Sequence, residues 1–344
     1  MTQHEILNRH ELLDEKGQLI ECGFAKTMIL DYDRRKIKAN SLRIKEWDYY
    51  LVYNDKYALA LTVDDNSYMA LDSISLIDFR VPCEHTNSPM KFMTLGKRNF
   101  PSSSLSGDVT GDGKGYKIEF INKGDERILR FHMDDFKDGK PIKGEVTLKD
   151  PHDESMVIAT PYKESKVHFY YNQKINCMPA QGKLSFDGEE YIFDPSDSFG
   201  TLDWGRGVWT YKNTWYWGSA SGIVDGHRFG FNIGYGFGDT SAASENMLFY
   251  DGKAHKLSEV TFNIPMKDGK EDYLKDWTFT SDDGRFEMDF VPVIDRYSNT
   301  DFIILGSNQH QVFGKFSGKA ILDDGRVITI KDFMGFAEKV SNKW

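Results

Sequence analysis

At 344 residues the chain is longer than one ordinary hydrophobic core requires, and an apolar fraction of 40% with 24 Phe, 17 Tyr and 7 Trp excludes wholesale disorder. A net charge of −10, with Lys and Arg scattered among the acids, argues against a nucleic-acid or anionic-membrane partner. The polar start MTQHEILNRHELLDEKG, the lack of a long apolar run, and three distant cysteines (Cys22, Cys83, Cys177) without a CxxC pattern predict a cytoplasmic chain with reduced thiols.

In chain order, alternating or aromatic-rich runs predict strands at Leu42 to Tyr53, Ala58 to Val63, Tyr68 to Phe79, Tyr116 to Ile121, Ile128 to Met133 and Gly144 to Leu148. The run RIKEWDYYLV puts Glu46, Asp48 and Tyr50 on one face and Lys45, Trp47 and Tyr49 on the other, and the charged face is expected to be solvated. Ser102 to Gly115 reads as a flexible loop. A boundary near Asn172 to Pro179 divides the chain into 1–175 and 176–344.

Strands follow at Lys183 to Phe186, Glu190 to Phe193, Trp215 to Ile223, Arg228 to Tyr235, Met247 to Tyr250, Arg285 to Val291 and Arg326 to Phe333. Asp-Gly pairs at 112, 138, 187, 225, 251, 268, 283 and 324 supply the hairpin turns. No long helical period with a capping box exists, so helices are expected to be few and short. The fold expected is all-β: two tandem lipocalin-like antiparallel barrels or strongly curved sheets, with the pocket in the second.

The stretch Phe199 to Tyr250 concentrates the candidate chemistry, with Trp204, Trp209, Trp215 and Trp217 among many glycines. By the period of two, Trp215, Trp217 and Ser219 share one strand face and Tyr216, Gly218 and Ala220 the other. Asp203, three residues before Arg206, reads as a general acid if buried or as the partner of Arg206 in an ion pair. Asp239 and Glu245 are further acid candidates at a barrel rim. His310 is a candidate acid, base or hydrogen-bond donor.

Other motifs fail on their spacing. Asp108, Thr110, Asp112, Gly113 and Glu119 approximate a calcium loop, but without flanking helices or an acid at the third position. GSASG places Ala220, not a serine, at the centre of a would-be nucleophile elbow. With no HExxH, Cys/His cluster or phosphate loop, neither metal nor cofactor is expected.

The segments LDEKG, RIKEWDYYLV, LDWGRGVW, WYWGSASG, GFNIGYGFGDTSAASENMLFYDGK, DGRFEM, HQVFGKFSG and GFAEKV resemble the bacterial domain-of-unknown-function family numbered 2804, over nearly the whole chain. The order of strands, turns and a Trp-Gly motif is more distantly similar to the lipocalin-like carotenoid 1,2-hydratase group. That resemblance implies tandem barrels with an Asp-His-x-Trp-Gly motif. Asp203, Trp204 and Gly205 match its Asp, Trp and Gly, whereas the His and the spacer residue are missing here.

These readings favour a cofactor-independent hydratase, cyclase or isomerase, with glycoside cleavage as a variant, acting on a small, partly apolar molecule. Asp203, then Asp239 or Glu245, would donate the proton beside a wall of Trp204, Trp215, Trp217 and Tyr235. Arg206, Trp209, Ser219 and Asn232 complete the expected ligand-binding set. The alternatives are a non-catalytic lipocalin-like carrier, whose carboxylates would be exposed, and a filled barrel with a structural role. A small-molecule partner and a monomeric or dimeric state are expected.

Overall fold

In the computed structural model, which describes residues 3–301 and 305–343, nearly all regular structure is β. The helices among the described residues are two single turns, Arg34–Lys36 and Ser41–Arg43. No helix among them is long and apolar enough to cross a membrane. Among the described residues the strands form two large curved sheets and two short two-stranded ribbons, and pairing is antiparallel except between His10–Glu11 and Leu30–Asp31 and at the isolated bridge of Glu5 with Phe24.

The first sheet has fourteen strands, and its middle is built from Tyr57–Asp65, Ile44–Tyr53, Phe199–Val208, Ser165–Phe186 and Lys140–Lys149, adjacent in that order. The second has nine, centred on His227–Tyr235, Lys212–Val224, Val327–Lys343, Gly306–Ile321 and Phe286–Asp301. The chain therefore changes sheet at residues 209–211 and not at 175/176. What reads as a boundary near Asn172 to Pro179 holds a bulge within the Ser165–Phe186 strand, where the register shifts between Ile175 and Met178 and Cys177 takes a φ of 61°. Asn176 and the Cys177 N–H use that bulge to reach Ser219 and Ser221 on the second sheet.

Five of the eight Asp-Gly pairs (138, 187, 225, 251 and 268) have positive φ at both residues, the geometry of the tight hairpin turn whose twist matches its strands. At 283 and 324 only the glycine does. The pair at 112 instead lies inside the strand Val109–Gly113, whose hairpin with Tyr116–Asn122 takes the place of the calcium motif and of the second part of the expected loop, while residues 102–108 lie outside any strand. Among the described residues no group of three or more metal-ligating side chains converges.

The Phe199–Val208 strand is missed by alternation because all ten of its residues are buried. Leu202, Trp204, Arg206 and Val208 point into the first core; Asp203, Gly205 and Gly207 face the second sheet. A methyl group at Gly205 would overlap the Trp47 indole. Gly205→Ala is expected to cost about 1–3 kcal/mol, read as a lower urea midpoint with an unchanged slope.

The face carrying Glu46, Asp48 and Tyr50 is not solvated, contrary to the expectation from composition. It lies inside the first sheet, where Glu46 accepts from Tyr32 (2.9 Å) and Arg34 (2.5 Å), and Asp48 pairs with Arg206 (3.0 Å). The second core is filled by Phe229, Phe231, Phe279, Phe286, Phe290 and Phe316. Two apolar clusters join the sheets, one around Phe237 and Trp209, the other around Trp217, Phe313 and Phe336.

Candidate functional site

Trp47 and Trp215 border both apolar clusters, and a buried polar group lies against them. It is assembled from two facing cross-strand rows. On the first sheet Tyr49, Asp203 and Lys174 are consecutive partners across three strands. On the second, Gln311, Glu338, Trp217 and Gly234 are partners across four. Directly opposed residues share a face, so each row presents its side chains together.

Lys174 is the common cation. Its Nζ lies 2.7 Å from Asp203 Oδ2 and 3.8 Å above the Trp217 ring. Asn172 Nδ2 donates to the other Asp203 oxygen at 2.6 Å. Glu338 accepts from Trp215 Nε1 (3.0 Å) and from Gln311 Nε2 (3.1 Å); Gln311 in turn accepts from Arg296 (2.8 Å). Glu245 packs its Oε1 against the backbone at Gly234, where a Cβ would come within 2.8 Å. Trp217 Nε1 donates to Asn232 (2.7 Å), which donates to the Glu245 carbonyl (2.9 Å).

Burial sets the electrostatics. It pushes the Glu338 carboxyl up to about 7, against the pull of the Trp215 hydrogen bond and Lys174, with nearby Asp203 raising it further. Glu245 is raised in the same way by burial and by Asp203, opposed by Lys174. Lys256, buried near Glu245 and donating to Ser244 and two carbonyls, is lowered to about 7 by burial. Lys174 thus pairs directly with Asp203 and also pulls against the burial that raises Glu245 and Glu338. The group is almost closed: the Asp203 side chain keeps 11% of its exposure and that of Lys174 3%.

Of the residues singled out from sequence, this site gathers Asp203, Glu245, Trp215, Trp217 and Asn232. Ser219 lies on the same face but binds Asn176 Nδ2 (2.8 Å), docking the bulge. Trp209 packs among Trp47, Trp215 and Phe237. Asp203 pairs with Lys174 and not with Arg206, because three residues along a strand lead to the opposite face. Trp204 and Arg206 are fully buried in the first core, the guanidinium 4.2 Å from the indole, and Tyr235 stacks on Tyr216 beside the second core. None of these three lines the polar group.

Asp239 sits apart, 3.8 Å from Lys163, and caps Ser241; burial raises its carboxyl, but the Ser241 bonds and Lys163 together hold it below its ordinary value. His310 is on the opposite face of the second sheet, stacked on Tyr273. Sequence reasoning missed Glu338, Lys174, Gln311, Asn172 and Tyr49. Lys174 did leave a signal, as the one Lys, Arg, Asp or Glu between Lys166 and Lys183 in a strand-forming, aromatic run.

The fold is similar to several solved structures. An AttH candidate from Nitrosomonas europaea superposes with a TM-score of 0.56 at 12% identity, covering 90% of this chain and 96% of that one. CghA with Sch210972 gives 0.54 at 11%, covering 98% and 97%, and kievitone hydratase from Nectria haematococca 0.50 at 12%, covering 97% and 98%. At such identities the likeness is one of fold. Among curated proteins no sequence matches. The family model for Domain of unknown function (DUF2804) matches residues 3–344, and the chain belongs to that family.

Proposed function

We propose that the protein is a cofactor-independent acid catalyst of the hydratase, cyclase or isomerase kind, acting on a small, partly apolar molecule between the two sheets. The observation that carries this reading is the buried set Asp203, Glu245 and Glu338, with Asp203 paired to Lys174 and Glu338 pushed up to about 7 by burial. A carboxylic acid that keeps its proton near neutrality is a competent general acid. Glu338 donates to an alkene carbon or a departing hydroxyl, while Asp203, fixed by Lys174 and Asn172, orients the water or receives the proton returned. The Trp215 and Trp217 faces suit the positive charge that develops.

One protein of this fold carries the name of a hydratase, which agrees with the reading. A carrier would leave its carboxylates exposed, whereas Asp203, Glu245 and Glu338 are buried.

The test is a thermal-stabilisation screen with isoprenoids, fatty acids, aromatic metabolites and oligosaccharides, followed by mass spectrometry of each hit for gain or loss of water. Turnover by the wild type should fall about a hundredfold in Glu338→Gln and in Asp203→Asn while binding persists. The wild-type rate should decline as pH rises through about 7, where Glu338 gives up its proton. Hits that all three proteins bind and none converts would overturn the enzyme reading in favour of a carrier.

A further inference from the structure

The strands that carry Gln311, Glu338 and Trp217 on one face carry a second row on the other: Tyr297, His310, Lys339, Tyr216 and Tyr235 are successive cross-strand partners. This row lies at the mouth of the second core, and a cleft of about 450 Å³ opens there. One wall is the ribbon Met266–Lys267 with Lys270–Glu271, turned at Asp268-Gly269. Glu271 ties that ribbon to the sheet through Lys339 Nζ, 2.7 Å from both carboxylate oxygens, and accepts from the Tyr273 hydroxyl at 2.6 Å. Burial would raise the Glu271 carboxyl, but these two bonds hold it below its ordinary value.

His310 forms the opposite wall. Its ring stacks on Tyr273, at 3.7 Å and nearly parallel, and lies 4.5 Å from the Tyr297 ring at a tilt of 32°. Its Nδ1 meets Asp295 Oδ2 at 2.7 Å. A carboxylate oxygen accepts, so Nδ1 donates and the lone pair of the neutral ring is at Nε2. Among the described residues no hydrogen bond reaches Nε2, and His310 borders the cleft.

The remaining lining is Met266, Gly269 and Lys270. Met266 and the Tyr273 edge suit an aromatic ring. Asp295 and Glu271 are already committed to His310, Lys339 and Tyr273, whereas Lys270 has no ion-pair partner among the described residues. The uncommitted charge of the cleft is positive.

We propose that this mouth is a second small-molecule site, distinct from the acid cluster, that takes a phenol bearing an anionic substituent. The phenolic O–H donates to His310 Nε2, the ring lies against Met266 and Tyr273, and the anionic group reaches Lys270. The volume suits a molecule of one or two rings.

Calorimetric titration of para-hydroxybenzoate, phenol and benzoate tests it. The wild type should bind para-hydroxybenzoate about tenfold more tightly than benzoate, which lacks the O–H. His310→Phe, which keeps a ring in the stack, should remove that difference. Lys270→Ala, on the exposed ribbon, should weaken para-hydroxybenzoate several-fold and leave phenol unchanged, and Glu338→Gln should change neither. Absence of binding, equal affinity for benzoate, or loss of binding in Glu338→Gln in place of His310→Phe would overturn the assignment; the benzoate comparison decides even if His310→Phe fails to fold.

Discussion

Lys174→Met is expected to lower the unfolding free energy by about 3–5 kcal/mol at about pH 8, with a large part of that loss recovered at about pH 5. Methionine keeps the packing against Trp217 but removes the cation that pairs with Asp203 and holds down Glu245 and Glu338. Without it, the Glu245 and Glu338 carboxyls, already raised by burial and held down by Lys174, are pushed further above their unfolded values. A carboxyl raised on folding takes up a proton as the chain folds. Its stabilising contribution is therefore complete below the unfolded value, 4.5 for a glutamate such as Glu338, and is lost as pH rises through the folded one, about 7 in the wild type.

The variant should accordingly show a steeper fall in stability across that window than the wild type. Urea denaturation at several pH values measures it directly. A deficit that is the same at acid and alkaline pH would mean that Lys174 acts through packing alone, and the electrostatic account of the site would fail. Adding Asp203→Asn to Lys174→Met should restore part of the stability at alkaline pH, since it removes one of the uncompensated charges.

Arg206→Met is expected to cost about 3–5 kcal/mol by a different route. The guanidinium is fully buried between the Trp204 ring (4.2 Å) and the Phe100 ring (4.8 Å). It donates to Asp48 (3.0 Å) and to the carbonyls of Trp47 (2.7 Å), Gly205 (2.8 Å) and Pro101 (3.1 Å). Methionine fills much of the volume and leaves Asp48 buried without its partner. Burial already raises the Asp48 carboxyl against the pull of Arg206.

Asp48→Asn in the same chain should recover about half of the loss, a coupling that a double-mutant cycle reads. Because Arg206 anchors Pro101, the segment 100–108 should also become sensitive to proteases in the single variant. Its other anchors, Ser104 to Gln173 and Asn122 to the Ser104 carbonyl, remain. Undiminished resistance there would show that those anchors suffice.

The alternation of short strands, the aromatic content and the Asp-Gly turns determined the all-β class from sequence, because period-two burial and positive-φ turns are local properties. The faces of Trp215, Trp217 and Ser219 followed from the same period. What local rules could not reach was burial on both sides of a strand. Phe199–Val208 shows no alternation, since one face meets the first core and the other the second sheet, and Glu46 and Asp48 are charged yet inside because Arg34 and Arg206 arrive from distant segments.

The candidate site has the same origin. Asp203, Glu245, Trp217 and Asn232 were legible as polar or aromatic residues in a glycine-rich stretch. Lys174 and Glu338 lie far from that stretch in sequence, and only strand register across two sheets sets one opposite Asp203 and the other opposite Trp217. The sequence determined which residue types were available, through propensities acting over a few residues. The tertiary structure alone decided which carboxyls are desolvated together around one lysine, because desolvation depends on what packs from the other sheet.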